Sequence, residues 1–167
     1  MHHYQYLKVF DLHYYCGQDP FSLADLLTHI KERKNNGGVE GNIGTATFFD
    51  LRDVDLLSLA DDDVRRFASD RRALGDDTVQ NPFATVVGDL GSFGKMRLYG
   101  IYADVNGLRE ESMCFTSLDV NEAVDWMSLH LPEPDRQALG EALRDAESHA
   151  KRELNGSGSD FNTLFPI

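Results

Sequence analysis

Cysteine is nearly absent from this chain. Only Cys16 and Cys114 occur in 167 residues, far apart and without a CxxC pair, which argues against a disulfide scaffold and against a zinc site built on thiolates. No apolar run approaches the roughly 20 residues that span a bilayer. The opening Met-His-His-Tyr-Gln lacks the basic and apolar parts of a signal peptide, so the expected location is cytoplasmic. Positive charge is scarce too, with 16 Lys and Arg against 28 Asp and Glu and a net charge of −12. Such a surface repels phosphate backbones and anionic lipid heads, and no nucleic-acid partner is expected. Catalytic signatures are also missing. There is no HExxH, no GxSxG and no GK[ST], and the six histidines (His2, His3, His13, His29, His130 and His149) show no ligand spacing. The expectation is a protein without enzymatic activity, cofactor or metal.

What is present suits a globular core: 41% hydrophobic and 10% aromatic residues in a chain long enough for one domain. The stretch from Thr45 to Ser58 organises the rest. It begins as a β-branched and aromatic run, Thr45 to Phe49. It then alternates polar residues (Asp50, Arg52, Asp53, Asp55) with apolar ones (Leu51, Val54, Leu56, Leu57). A buried strand reads this way where it leaves a sheet at the rim. Ser58 and Asp61 have capping-box spacing, which predicts that a helix begins there.

Other elements follow the same logic. Residues 4–15 read as one long strand or two short ones, and Gly17 to Pro20 as a turn. Ser22 caps a helix with Leu23, Leu26, Leu27 and Ile30 on its inner face. Residues 35–44 read as a loop. The helix after Ser58 turns Val64, Phe67 and Ala68 inward and Arg65, Arg66, Arg71 and Arg72 outward. Residues 74–82 form a second loop. Phe83–Val87 is a buried strand, followed by a helix from about Ser92 to Ala103. Ser112–Thr116 is a short strand, and Ser117 or Asp119 caps the helix carrying Val120, Ala123, Val124 and Met127. A last helix over 135–154 presents Leu139, Ala142, Leu143, Ala146 and Ala150, and the tail after Gly156 is apolar. Strands alternating with helices imply an α/β fold, a mostly parallel sheet of four to five strands covered by helices, plus an extra C-terminal helix. The division expected is residues 1–131 for the α/β domain and 132–167 for a helical extension with its tail.

The acidic rim of Asp50, Asp53 and Asp55 has the composition of a metal or phosphoacceptor site. A receiver-type arrangement would need two strand–helix units before Asp50 and a lysine after the Phe115 strand, and neither is present. Pairing with Arg52 is the plainer reading of these aspartates. Gly88, Gly91 and Gly94 open a helix after a strand, where phosphate can bind, but the spacing is not GxGxxG, and tight packing accounts for them better. Phe93, Met96, Tyr99 and Tyr102 make an aromatic, sulfur-bearing stripe. It serves either as core or as the wall of a small apolar pocket.

Three segments taken in order resemble the SpoIIAA-like branch of the STAS superfamily, the anti-sigma-factor-antagonist fold. They are Phe49-Asp-Leu-Arg-Asp-Val-Asp-Leu56, then Phe83-Ala-Thr-Val-Val87 with Phe93-Gly-Lys-Met-Arg-Leu-Tyr99, then Met113 to Trp126. The resemblance implies a small β/α domain that binds partners and performs no chemistry. It puts Ala60 where that family carries its phosphorylated serine, with Asp61, Asp62 and Asp63 beside it to repel phosphate. The implied role is a regulatory protein-interaction module, self-associating as a homodimer or meeting another protein. The alternative is a carrier or sensor of a small apolar, lipid-like ligand. The candidate surface for either comprises Asp50, Arg52, Asp53, Ser58, Asp89, Phe93, Met96 and Tyr99.

Overall fold

The computed structural model describes residues 1–37, 45–75, 79–132 and 135–156. Most of the expected loop over 35–44, part of the 74–82 loop and the apolar tail with any docking of it lie outside the described residues.

The aromatic stretch near the N-terminus is two strands. β1 (His2–Leu7) and β2 (Leu12–Gln18) pair antiparallel, with Leu7 opposite Leu12. The chain reverses through Asp11, whose φ of 47° lies in the left-handed region that aspartate tolerates better than most residues. The remaining elements alternate. They are α1 (Leu23–Asn36), β3 (Ala46–Asp53), α2 (Asp61–Ala73), β4 (Phe83–Val87), α3 (Leu90–Val105), β5 (Cys114–Ser117), α4 (Val120–His130) and α5 (Arg136–Gly156). β2, β3, β4 and β5 lie side by side in chain order and run parallel. The protein is α/β, as its alternating pattern implied.

Chain order in the sheet decides where the helices go. Each crossover from β2 to β5 steps one strand in the same direction, and crossovers of one hand then leave their helices on one face. Leu26 and Ile30 of α1, Val64 and Ala68 of α2, and Tyr99 and Ala103 of α3 accordingly close over Tyr15, Phe49, Leu51, Phe83 and Val87. The opposite face would be bare after those units. α4 and α5 cover it, packing Ala123, Val124, Met127, Leu139, Leu143, Ala146 and Ala150 against Leu12, Tyr14, Phe48, Ala84 and Val86. Neighbours such as Phe48 and Phe49 therefore serve opposite cores, as strand alternation requires. α5 is a wall of the second core. Leu139 and Leu143 alone contribute on the order of 3–6 kcal/mol by leaving water.

Helix starts follow local chemistry. Ser22 Oγ accepts from the Asp25 amide at 3.2 Å, and Asp89 and Asp119 cap α3 and α4. Ser58 does not cap α2. It ends a short 3-10 turn over Leu56–Ser58 and donates its hydroxyl to the Asp55 carbonyl at 2.7 Å. α2 starts three residues later, at Asp61, behind an Ala60 that offers no side-chain cap. Three aspartates in its first turn, Asp61 to Asp63, stabilise the positive end of the helix dipole instead.

Candidate functional site

The helix-covered face on the α1–α3 side is not fully closed. A cavity of about 70 Å³ remains between the three helices and the sheet. Its floor is Tyr15, Thr47, Phe49, Leu51 and Phe83 from three adjacent strands. α1 contributes Leu26 and Ile30 to the wall, α2 contributes Val64 and Phe67, and α3 contributes Met96 and Tyr99. Phe21, Leu56 and Leu59 close the end at which β2 and β3 leave the sheet. The aromatic floor is ordered: Tyr15 stacks on Phe49 with centroids 4.6 Å apart, and Phe83 lies 5.4 Å from Phe49 and 5.6 Å from Tyr99.

Four cationic side chains border this apolar space, and their partners differ. Lys95 donates to the Leu59 carbonyl at 2.8 Å and pairs with Asp61. Arg33 donates to His13 Nδ1 at 2.8 Å and lies over the Tyr4 ring, 4.4 Å from its centroid. Arg71 projects into the core at 8% exposure, although the helical pattern predicted it outward with Arg72. Position 71 lies one turn from Ala68 and two from Val64 on the buried side of α2, so its charge is carried inward by the helix geometry. Arg109 is 3% exposed. Its Cζ sits 4.7 Å above the Phe83 ring, and its Nε has no hydrogen-bond partner. Burial lowers the Arg109 pKa from its ordinary value, and Arg71 nearby acts in the same direction. Burial raises the Tyr99 and Tyr15 hydroxyls above the usual phenol value.

The candidate residues from the sequence separate into two places. Met96 and Tyr99 line the cavity, and Phe93 packs against the same core. Asp50 and Arg52 point to the other face. Arg52 donates to both Asp50 oxygens, Nε to Oδ1 at 2.8 Å and Nη2 to Oδ2 at 2.6 Å, and reaches Glu147 of α5 at 2.8 Å. The aspartate at the strand end is thus spoken for by an ion pair. Asp53 is exposed at the rim. Asp89 takes the Ser92 amide at 2.8 Å and the Ser92 hydroxyl at 2.9 Å. Gly88 is needed for close packing, because an added Cβ would lie 2.5 Å from the Arg52 carbonyl, whereas at Gly94 it would meet nothing.

A second cleft, about 570 Å³, opens on the α4–α5 side among Asp50, Arg136, Arg144 and Glu147. Its lining is mixed, with Tyr14, Phe48, Val124 and Leu143 beside those charges, and Asp50 and Glu147 there are already paired with Arg52. A third grouping brings His3, His149 and Glu153 together with ligand atoms within 4.8 Å of one another. This trio could hold a metal ion. It also ties β1 to α5 through the 2.7 Å contact of His3 Nδ1 with Glu153. The thiols offer no nucleophile, since burial pushes Cys16 up to about 11 and also raises Cys114.

Arg109, Arg71, Phe21 and Thr47 were not legible as cavity residues. They come from four separate segments, and no spacing connects them. Comparison of the chain with protein-family models, with characterised proteins and with solved structures gives no match. Among the described residues no helix is long and apolar enough to cross a membrane.

Proposed function

We propose that this protein is a non-enzymatic binding module for a small apolar ligand, held in the cavity beneath α1, α2 and α3. The observation that carries this reading is the cavity itself, an aromatic and aliphatic space left open between the sheet and α1, α2 and α3. Well-packed interiors hold few voids larger than a water molecule, and an apolar void favours an apolar guest. Its residues include Met96 and Tyr99 of the stripe that the sequence singled out. The resemblance to the SpoIIAA-like family agrees with a domain that binds and does no chemistry. Native mass spectrometry of freshly purified protein tests the proposal directly. A stoichiometric small-molecule adduct, or a saturable shift on adding an apolar probe, supports it. Bare protein mass together with no response to any apolar probe overturns it.

A regulatory protein-interaction role is the second reading, and one surface favours it. Leu57 is 60% exposed and Leu90 is 76% exposed, at the rim where β3 and β4 end and beside Ser58 and Asp89. Substituting both with serine and measuring sedimentation and pull-down partners would separate this role from ligand binding.

A further inference from the structure

Arg109 is a buried charge whose Nε finds no hydrogen-bond partner among the described residues. Its guanidinium is buried, and among the described residues no carboxylate faces it. The acids nearest in sequence are engaged elsewhere. Glu110 accepts from Gln80 and from Ser112, and Glu111 pairs with Arg97 at 2.8 Å. The groups that do act on Arg109 are the Tyr99 hydroxyl, the Cys114 thiol and a second guanidinium, Arg71. The ring of Phe83 supplies only a partial counter-charge. An arginine stays protonated near neutral pH whatever its surroundings. For Arg109, a buried positive charge with no carboxylate beside it among the described residues is an unfavourable arrangement that a bound anion would relieve. Both guanidiniums border the same apolar cavity.

We propose that the ligand of this cavity is a small amphipathic carboxylate, its acidic head held by Arg109 with Arg71 alongside and its apolar body laid against Phe49, Phe83 and Met96. The proposal rests on the cavity reading above and names its ligand class. A planar carboxylate matches the two-pronged donor geometry of a guanidinium. The aromatic floor and Met96 would take the rest of the molecule, Met being able to reshape around it. Size bounds the class further. At about 70 Å³ the cavity has room for roughly five waters, on the scale of 10–15 Å³ per water. The expected ligand is therefore a short-chain acid of about six non-hydrogen atoms or fewer. The contact needs no bond making or breaking.

The test compares butyrate with butan-1-ol, and propionate with propan-1-ol, by calorimetry and thermal unfolding of the full chain at pH 7. The expected result is that each acid binds at least tenfold more tightly than its alcohol and raises the melting temperature. The variant Arg109→Met should lose that preference. Without ligand it should melt at or above the wild-type temperature, because an uncompensated buried charge has been replaced by an apolar side chain of similar length. If acid and alcohol bind equally, the carboxylate proposal fails while the apolar-cavity reading survives. If neither binds, both fail. A preference for acid that persists in Arg109→Met would also overturn the assignment, since the anchor would lie elsewhere. Should Arg109→Met not fold, Arg109→Lys keeps the charge without the fork and should weaken the acid preference. An acid preference unchanged in that variant would equally sink the proposal.

Discussion

Arg52 holds Asp50 from two positions along the same strand, with 2.8 Å and 2.6 Å bonds to the two carboxylate oxygens. Residues at i and i+2 of a strand share a face, and here that face is the one α5 covers. Because Arg52 also reaches Glu147, and Lys151 bonds Glu147 at 2.6 Å, a chain of four charges fastens β3 to α5. Asp50 is 5% exposed, so the pair is shielded from water.

Replacing Arg52 with Met should therefore leave a buried carboxylate unpaired and destabilise the fold by about 1–3 kcal/mol. The double variant Asp50→Asn with Arg52→Met should recover part of that loss, because the orphaned charge is gone. Urea unfolding of wild type, both single variants and the double variant measures the coupling. Additive effects would show that the pair carries no interaction energy.

Val86 is fully buried at the centre of the α4–α5 core and pairs with Asp50 on one side and Ser117 on the other. Val86→Ala removes two methyl groups from a packed site and should cost about 1–3 kcal/mol in urea unfolding. A loss under about 0.3 kcal/mol would mean that this strand is peripheral.

The two serines that look like caps should behave differently. Ser22→Ala removes an acceptor from the Asp25 amide and should cost about 1 kcal/mol. Ser58→Ala removes only a hydroxyl donated to the Asp55 carbonyl in an exposed turn, and its effect should stay under about 0.5 kcal/mol. Equal losses at the two positions would restore Ser58 as a helix cap.

His29 gives a pH signature. Burial, then His2 and Arg33, press its pKa down from 6.5 to about 4. The unfolded chain therefore takes up a proton near pH 6.5 that the folded chain refuses until about pH 4. The folded state is favoured least at low pH, so this contribution to stability is intact above 6.5 and is lost as the pH falls towards 4. His2 is shifted the same way, chiefly by burial. His29→Gln should flatten the stability profile between pH 6.5 and 4 relative to wild type, as read by thermal unfolding across that window. Parallel profiles for the two proteins would refute the assignment.

Elements and their faces were legible in the sequence because they depend on local spacing. Leu26 and Ile30, Ala123 and Met127, or Leu139 and Leu143 recur at helical intervals, and Phe83 to Val87 is a continuous apolar run bounded by turn residues. Alternating strands and helices carried the α/β class in the same way, and the Arg52 pairing followed from residues two apart. Where local rules competed, tertiary context prevailed. β3 runs on through Asp53 and turns over Leu56–Ser58, which moved the start of α2 past Ser58 to Asp61. Arg71 reads as a surface charge by residue type, yet it faces inward because its place on α2 does.

The cavity lay beyond any reading of the chain in order. Its floor joins Tyr15, Phe49 and Phe83, which touch only because β2, β3 and β4 align in register, Tyr15 beside Phe49 and Phe49 beside Thr85. Arg109 reaches it from the segment after α3, where nothing in the neighbouring residues marks it as buried. Helical and strand periodicities extend over a few residues and determine what each segment presents to a neighbour. Which segments become neighbours, and whether a charge carried into their midst finds a partner, is decided by contacts between residues tens of positions apart. Those contacts form only when the sheet closes.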